Sequence, residues 1–231
     1  MGFIAESLRT AFSLIFLADQ EVFAAVWTSV SVASVSILFA ACLGVPLGIG
    51  VAVGQFRGKR AVLVVLNSLM AMPTVVIGLL VYGLLSRQGP LGRWGALFSP
   101  SAMVIGQTVL AIPIVANYTL SAVKGADYRI VPTALTLGAG AVQSVVQLTR
   151  EVRFGIMAAI IAGFGRVISE VGVAMMLGGN IRGYTRTMTT AIALETSKGE
   201  FAFGLALGII LMGVSFCINI LLTFMQESNR A

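Results

Sequence analysis

One stretch decides how this chain folds: Lys124-Gly-Ala-Asp-Tyr-Arg-Ile-Val-Pro132-Thr-Ala-Leu-Thr-Leu-Gly138-Ala-Gly-Ala141, which continues to Phe154. It is the long polar-to-amphipathic segment between two apolar runs of membrane length. Pro132 is suited to the first turn of a helix, because its missing N–H would be unpaired there anyway. Apolar residues recur around it at helical spacing, at Val131, Leu135 and Val142. The stretch therefore predicts a short helix lying along the membrane surface.

Two glycines interrupt this predicted helix and need a reason. Gly138 and Gly140 each cost helix stability, by about 1 kcal/mol relative to Ala. A glycine at such a position indicates either the close approach of another surface or the end of a helix. We expect a docking element for a partner here; the alternative is an ordinary cytoplasmic loop that contains a helix.

The composition places the whole chain in a membrane. Of its 231 residues, 58% are hydrophobic and 10% are charged, and runs of about 20 apolar residues are typical of transmembrane helices. We predict an all-α membrane protein in which residues 1–231 form a single domain. The net charge of +6 lacks the dense basic clusters with interleaved aromatics of nucleic-acid-binding proteins. The chain has no His, which excludes His-based zinc sites, and we expect no metal site and no catalytic residue.

Five apolar runs are long enough to cross a bilayer, and an amphipathic segment, 1–17, precedes them as a predicted interfacial helix. Pro73 and Pro113 are predicted to interrupt the second and third runs, because proline removes a helical hydrogen bond. Gly44 and Gly48 have the spacing of close helix packing, as do Gly50 with Gly54 and Gly204 with Gly208. The five predicted spans are 22–54, 61–86, 101–123, 155–181 and 201–225.

The loop 55–60 carries three positive charges, Arg57, Lys59 and Arg60. Loops rich in Lys and Arg usually remain in the cytoplasm. Five spans place the two termini on opposite sides, and the numbers of Lys and Arg on the two sides differ little. We predict an outside N-terminus and a cytoplasmic C-terminus mainly because the docking element expected in 124–153 must face the cytoplasm.

Arg166 and Glu170 are the charged residues that lie deep in an apolar run. Each would cost a few kcal/mol alone in lipid. They are four residues apart, so they can neutralise each other as an ion pair, although Arg before Glu is the weaker order. Two roles stay open: structural pairing inside the bundle, or a direct part in gating and substrate passage.

The segment around Pro132 resembles the cytoplasmic coupling loop of ABC-importer permeases, whose motif reads E-A-A-x3-G-x9-I-x-L-P. Pro132, Thr133 and Ala134 align with E-A-A, Gly138 with the Gly and Leu148 with the Ile, whereas Arg150 and Glu151 replace the final L-P. Further stretches look like tungstate-type permeases, which are related to molybdate and sulfate permeases. They are 72–78, 85–92, 163–172 and 176–186, and the loop 85–92, Leu-Ser-Arg-Gln-Gly-Pro-Leu-Gly, favours tungstate.

This resemblance covers nearly the whole chain and implies the type I importer fold in a prokaryotic inner membrane. It implies a homodimer, two cytoplasmic ATPase subunits that bind ATP and Mg²⁺, and an extracytoplasmic substrate-binding protein. The chain has no G-x-x-x-x-G-K-[ST] motif, so we expect it to bind no cofactor and not to be an enzyme by itself. The resemblance assigns ATPase coupling to Pro132, Thr133, Ala134, Leu137, Gly138 and Ala139.

A tetrahedral dianion passing through a pore needs donors that hold it weakly enough to release it. The pore and gating candidates are Pro73, Thr74, Pro113, Asn117, Arg166 and Glu170. Four further cations, Arg87, Arg93, Arg182 and Arg186, are candidates for docking the binding protein, or simply solvated loop charges.

Two other classes of function are compatible with a membrane domain. One is a molybdate or sulfate permease of the same architecture. The other is a passive anion channel or the membrane anchor of a redox complex. An anchor requires haem or quinone ligands, which a chain without His supplies poorly.

Overall fold

The computed structural model describes residues 2–17 and 19–227, and all regular elements in these ranges are helical. This confirms the predicted all-α class. The helices are α1 (Gly2–Phe16), α2 (Gln20–Val53), α3 (Lys59–Ala71), α4 (Thr74–Leu85), a 3₁₀ turn (Gly92–Trp94), α5 (Pro100–Lys124), α6 (Ile130–Thr136), α7 (Ala141–Glu151), α8 (Arg153–Ile168), α9 (Gly172–Gly178), α10 (Met188–Lys198) and α11 (Phe201–Glu227).

Three of these helices, α2, α5 and α11, are long and apolar enough to cross a membrane alone. Two helix pairs meet the same test only together: α3 bends by 100° into α4, and α8 bends by 62° into α9. Counting each bent pair as one crossing gives five spans, the number predicted from the sequence. The second and fourth spans are thus broken rather than straight.

The helices α2 and α5 form the centre of the bundle, and two glycines allow their close contact. A Cβ on Gly48 would lie 2.5 Å from the carbonyl oxygen of Ala116, and one on Gly44 would lie 3.0 Å from that of Ile112. The packing role predicted for this pair is confirmed. Gly50 and Gly208 would meet no atom within 4 Å among the described residues. Gly204 does pack closely, because a Cβ there would lie 3.3 Å from Thr196 Oγ1 of α10.

The bundle has two distinct ends. At one end, Lys59 Nζ donates to the carbonyl oxygens of Ala52 and Gly54 at 3.0 and 2.9 Å. A small hydrophobic core at this end contains residues from the start and the end of the segment 124–153 and from its neighbours, and α2 packs against it. Its buried members are Val123, Leu148, Val152 and Ile156. At the other end, Ser29 Oγ of α2 accepts from the Met188 N–H of α10 at 2.7 Å. The basic loop 55–60 therefore shares an end with the segment 124–153, and the loop before α10 lies at the opposite end.

The predicted amphipathic segment at the N-terminus does form a helix, α1, which packs along α11. Ala11 is fully buried and Leu14 contacts the main core. Phe12 and Phe16 remain exposed on the opposite face. An amphipathic helix of this kind suits the boundary between headgroups and acyl chains.

Candidate functional site

The segment 124–153 folds as two short helices, α6 and α7, around a turn. Pro132 lies in the first turn of α6, as its missing N–H predicts. Gly138 has a φ of +89°, and its N–H donates to the Leu135 carbonyl at 3.0 Å. This left-handed conformation closes the C-terminus of α6 and favours glycine. A Cβ on Gly138 would meet no atom within 4 Å, so within the chain this glycine ends a helix.

Apolar side chains on this turn are uncovered. Leu137 is 82% exposed and Val142 is 78% exposed. Two shallow grooves, of about 480 and 440 Å³, share Leu137 and Ala134 in their walls. Of the six predicted coupling residues, four are exposed, Pro132, Thr133, Leu137 and Gly138, and two are partly exposed, Ala134 and Ala139. We call these six residues of α6 and the following turn the coupling surface.

The first helix break lies at Met72–Pro73, where the sequence predicted a kink. Pro73 stands immediately before α4, with a φ of −58° and ψ of 128°. Beside the break, the Asn117 amide donates to Met70 Sδ at 3.0 Å. Asn117 is buried among the helices, so in this chain it contacts the break rather than an open surface.

The expectation that Pro113 interrupts the third span is wrong. α5 continues without a break from Pro100 to Lys124, and Pro113 is buried within it. Proline costs a helix one hydrogen bond, but tight packing from neighbouring helices keeps such a helix continuous. Pro113 therefore does not mark an opening of the backbone.

The second break, between Ile168 and Gly172, was not predicted, and Glu170 holds it together. Glu170 Oε2 accepts from Arg166 Nη1 at 2.7 Å, which confirms the predicted ion pair. Its other oxygen, Oε1, accepts from the N–H groups of Gly172 and Val173 at 2.8 and 3.3 Å. Its main-chain carbonyl accepts from Thr189 Oγ1 of α10 at 2.8 Å. One residue thus connects α8, α9 and α10.

The two breaks meet in space. A Cβ on Gly172 would lie 3.0 Å from Thr74 Oγ1 and 3.3 Å from Glu170 Oε1. Thr74 is the first residue of α4 and Gly172 is the first residue of α9. The N-termini of both helices therefore lie next to the Glu170 carboxylate and the Thr74 hydroxyl. Irregular backbone at membrane depth occurs where protein covers it or where it lines a water-filled cavity. Of the pore candidates, the structure brings together Thr74, Arg166 and Glu170, with Pro73 adjacent in sequence.

The four arginines proposed for docking differ in their surroundings. Arg186 does not fit the docking role predicted for it, because its side chain is only 13% exposed. It pairs with Glu195 at 3.4 Å, and Lys198 Nζ lies 3.0 Å from the same carboxylate. Arg186 therefore stabilises the position of α10 and is not available on the surface to bind a partner. Arg182 pairs with Glu21 at the start of α2. Arg87 lines a surface cavity of about 630 Å³ and Arg93 is exposed nearby. The Arg182 side chain is 71% exposed despite its ion pair, so these three arginines remain docking candidates.

The sequence of this chain matches a known family over most of its length. Residues 44–230 match the family described as binding-protein-dependent transport system inner membrane component. The chain belongs to this family.

Several curated relatives are similar over most of their length. The tungstate uptake system permease protein TupB of Peptoclostridium acidaminophilum is 40% identical over 227 residues, covering 98% of this chain and 100% of that protein. TupB of Campylobacter jejuni is 37% identical, covering 95% and 92%. The molybdenum transport system permease protein ModB of Escherichia coli is 29% identical, covering 80% and 84%.

Solved structures share the fold at lower sequence identity. The MetNI methionine ABC transporter, in an inward-facing conformation, contains a chain with a TM-score of 0.75 at 17% identity, covering 94% of this chain and 98% of that one. A bacterial alginate ABC importer has a TM-score of 0.71 at 18% identity, covering 100% and 84%. The predicted importer-permease fold is confirmed.

Proposed function

We propose that this chain is the permease subunit of an ATP-driven tungstate importer that works by alternating access. The observation that carries the proposal is the uncovered coupling surface on α6 and the turn before α7, at the end of the bundle that also holds the basic loop 55–60. The substrate assignment is supported by two relatives, both tungstate permeases, that are 37–40% identical over nearly the full chain.

The geometry of the coupling surface fits a contact with a separate ATPase. Leu137 projects from a turn whose backbone is fixed by the left-handed Gly138. A few residues in well-packed pockets near the centre of an interface supply most of its binding energy. In the proposed importer, two copies of this chain bind two cytoplasmic ATPase subunits that carry ATP and Mg²⁺, and closure of the ATPases moves both coupling surfaces.

The opposite end of the bundle then faces the outside and receives a substrate-binding protein. Arg87, Arg93 and Arg182 are exposed cations at that end, and we propose them for this contact. The N-terminus lies outside in this arrangement and α11 carries the chain back to the cytoplasm. Residues 228–231, which complete the proposed cytoplasmic C-terminus, lie outside the described residues.

A molybdate permease is the second candidate, because ModB of Escherichia coli is 29% identical over 194 residues. Both substrates are tetrahedral dianions, and the polar groups at the two breaks would suit either. A passive anion channel is disfavoured, since a channel needs no ATPase and so gives no reason for the uncovered Leu137 and Val142.

Reconstituted transport tests this proposal. The chain is assembled with its ATPase and binding protein in lipid vesicles, and uptake of tungstate, molybdate and sulfate is measured with and without ATP. We expect uptake that depends on ATP, and we expect tungstate to inhibit the uptake of molybdate and of sulfate. Uptake that is equally fast without ATP would establish a channel, and a preference for molybdate would overturn the substrate assignment.

A further inference from the structure

Arg166 has most of its hydrogen-bonding capacity unused. Its side chain is 44% exposed, whereas that of Glu170 is 3% exposed. Among the described residues, the Nη1–Oε2 contact is the ion pair that the structure gives to Arg166. A guanidinium carries five N–H donors in a planar fork. The pair with Glu170 therefore leaves donors of Arg166 unused, and the guanidinium is accessible from outside this chain.

The side of α8 that carries Arg166 is expected to face water rather than lipid. Ser169 and Val171, in the second break, are exposed on the chain together with Arg166. Charged side chains within spans face the bundle interior or a water-filled cavity, and broken backbone at membrane depth does the same. Both features occur here within a short stretch, 166–171, and Thr74 at the first break adjoins them.

We infer that Arg166 is the residue that holds the transported oxyanion within the membrane, and that Glu170 acts as its built-in competitor. This inference rests on the proposed function and names the contact for the substrate. A planar guanidinium binds a tetrahedral oxyanion through two parallel N–H donors, which an ammonium cannot do. When Arg166 turns toward the anion, Glu170 stays in place, because the Gly172 and Val173 N–H groups still hold its Oε1.

The competitor explains how the anion leaves again. A site in a transport path must bind strongly enough to admit its ligand and weakly enough to release it. Glu170 lies 2.7 Å from the guanidinium, so it reclaims Arg166 as the anion departs and lowers the affinity of the site. Removing the charge of Glu170 should therefore tighten oxyanion binding, which a purely structural ion pair would not predict.

Protection of a reporter cysteine measures this affinity directly on the permease. Ser169→Cys is made in a Cys42→Ala, Cys217→Ala background, and the permease–ATPase complex is placed in nanodiscs without binding protein. The rate of modification by a charged methanethiosulfonate reagent is measured against tungstate concentration. We expect tungstate and molybdate to protect, and nitrate, a planar monoanion, to protect at least about tenfold less well.

Four variants separate the site from structural pairing. Glu170→Gln should lower the half-protecting tungstate concentration by about tenfold, and Arg166→Gln with Glu170→Gln should raise it by about tenfold or more. Arg166→Lys should give an intermediate value. Lys198→Gln is the matched control, because Lys198 is also half-exposed and pairs with a buried carboxylate at 3.0 Å, and it should leave protection unchanged.

Unaltered half-protection in the double variant would overturn the inference, and so would a reporter thiol in the Ser169→Cys protein that no reagent modifies. Glu170→Gln with the parental affinity would remove the competitor role. Tungstate uptake by the parent importer is measured alongside. Protection without uptake would refute the proposed function and leave the site, whereas uptake without protection would refute the site alone.

Discussion

The carboxylate of Glu170 binds two different partners with its two oxygens. Oε2 balances the charge of Arg166, while Oε1 accepts N–H donors at the start of α9. The first four N–H groups of a helix have no partner within it, so a side-chain acceptor there stabilises the helix. The pair is therefore asymmetric: the acid is buried and fixes a helix start, whereas the base is half-exposed.

This asymmetry predicts unequal effects on stability. Arg166→Gln leaves a buried carboxylate without its counter-charge and should lower the free energy of unfolding by roughly 1–3 kcal/mol. Glu170→Gln should cost less, about 1 kcal/mol, because its amide oxygen can still accept from the Gly172 N–H. The double change should recover much of the loss, since no orphan charge remains. Thermal unfolding of the three variants in the same detergent ranks their stabilities.

Glu170→Ala provides the control for the helix start. It removes both the charge and the acceptor, so it should be less stable than Glu170→Gln by about 1 kcal/mol. Equal stability of the alanine and glutamine variants would show that the Oε1 contacts contribute nothing. An Arg166→Gln protein as stable as the parent would refute the pairing itself.

The turn between α6 and α7 presents its apolar side chains because of its backbone conformation. Gly138 has a φ of +89°, a conformation that costs other residues about 1–2 kcal/mol. A bulky substitution there, such as Gly138→Trp, would strain the turn as well as obstruct a partner. Leu137 is the sharper probe, since it is 82% exposed and its replacement leaves no cavity in this chain.

We expect Leu137→Gln to weaken the contact with the ATPase by about tenfold or more, the effect of losing a central apolar contact of an interface. Thermal unfolding of the permease should be unchanged. The measurements are co-purification of the ATPase subunit and its rate of ATP hydrolysis in the assembled complex. Phe56→Gln is the control, because Phe56 is an exposed apolar residue at the same end of the bundle but outside the coupling surface. Normal assembly and hydrolysis in Leu137→Gln would contradict the docking role.

Local signals in the sequence predicted most of the elements. The runs of apolar residues predicted all five spans. The break at Pro73 follows from the restricted backbone of proline, and the helix end at Gly138 follows from the conformational freedom of glycine. The break at 169–171 escaped prediction because Ser169-Glu170-Val171 contains neither Pro nor Gly. Its conformation depends on a contact from Thr189, nineteen residues along the chain. The burial of Arg186 likewise depends on Glu195, which only the folded α10 brings near.

The two ends of the bundle differ in their charged and apolar residues. One end combines the basic loop 55–60 with the coupling surface, and Lys59 ties that loop to the end of α2. The other end holds the loops after α4 and before α10. Arg87 lies on the first loop, and Arg186, which pairs with Glu195 of α10, lies on the second. The predicted orientation assigns the first end to the cytoplasm, as expected for loops rich in Lys and Arg.

Single-cysteine labelling in intact cells tests this orientation, in a background where Cys42 and Cys217 are replaced by Ala. Arg60 and Thr133 report on the first end, and Arg93 and Ser197 on the second. All four side chains are exposed, so accessibility within this chain does not limit the reaction. Lys59 is less suitable, because a cysteine there would remove the hydrogen bonds that its ammonium donates to the end of α2. A membrane-impermeant maleimide should label positions 93 and 197 in intact cells, and positions 60 and 133 only after the cells are opened. Labelling of position 133 from outside would reverse the topology and would remove the coupling surface from the reach of any cytoplasmic ATPase.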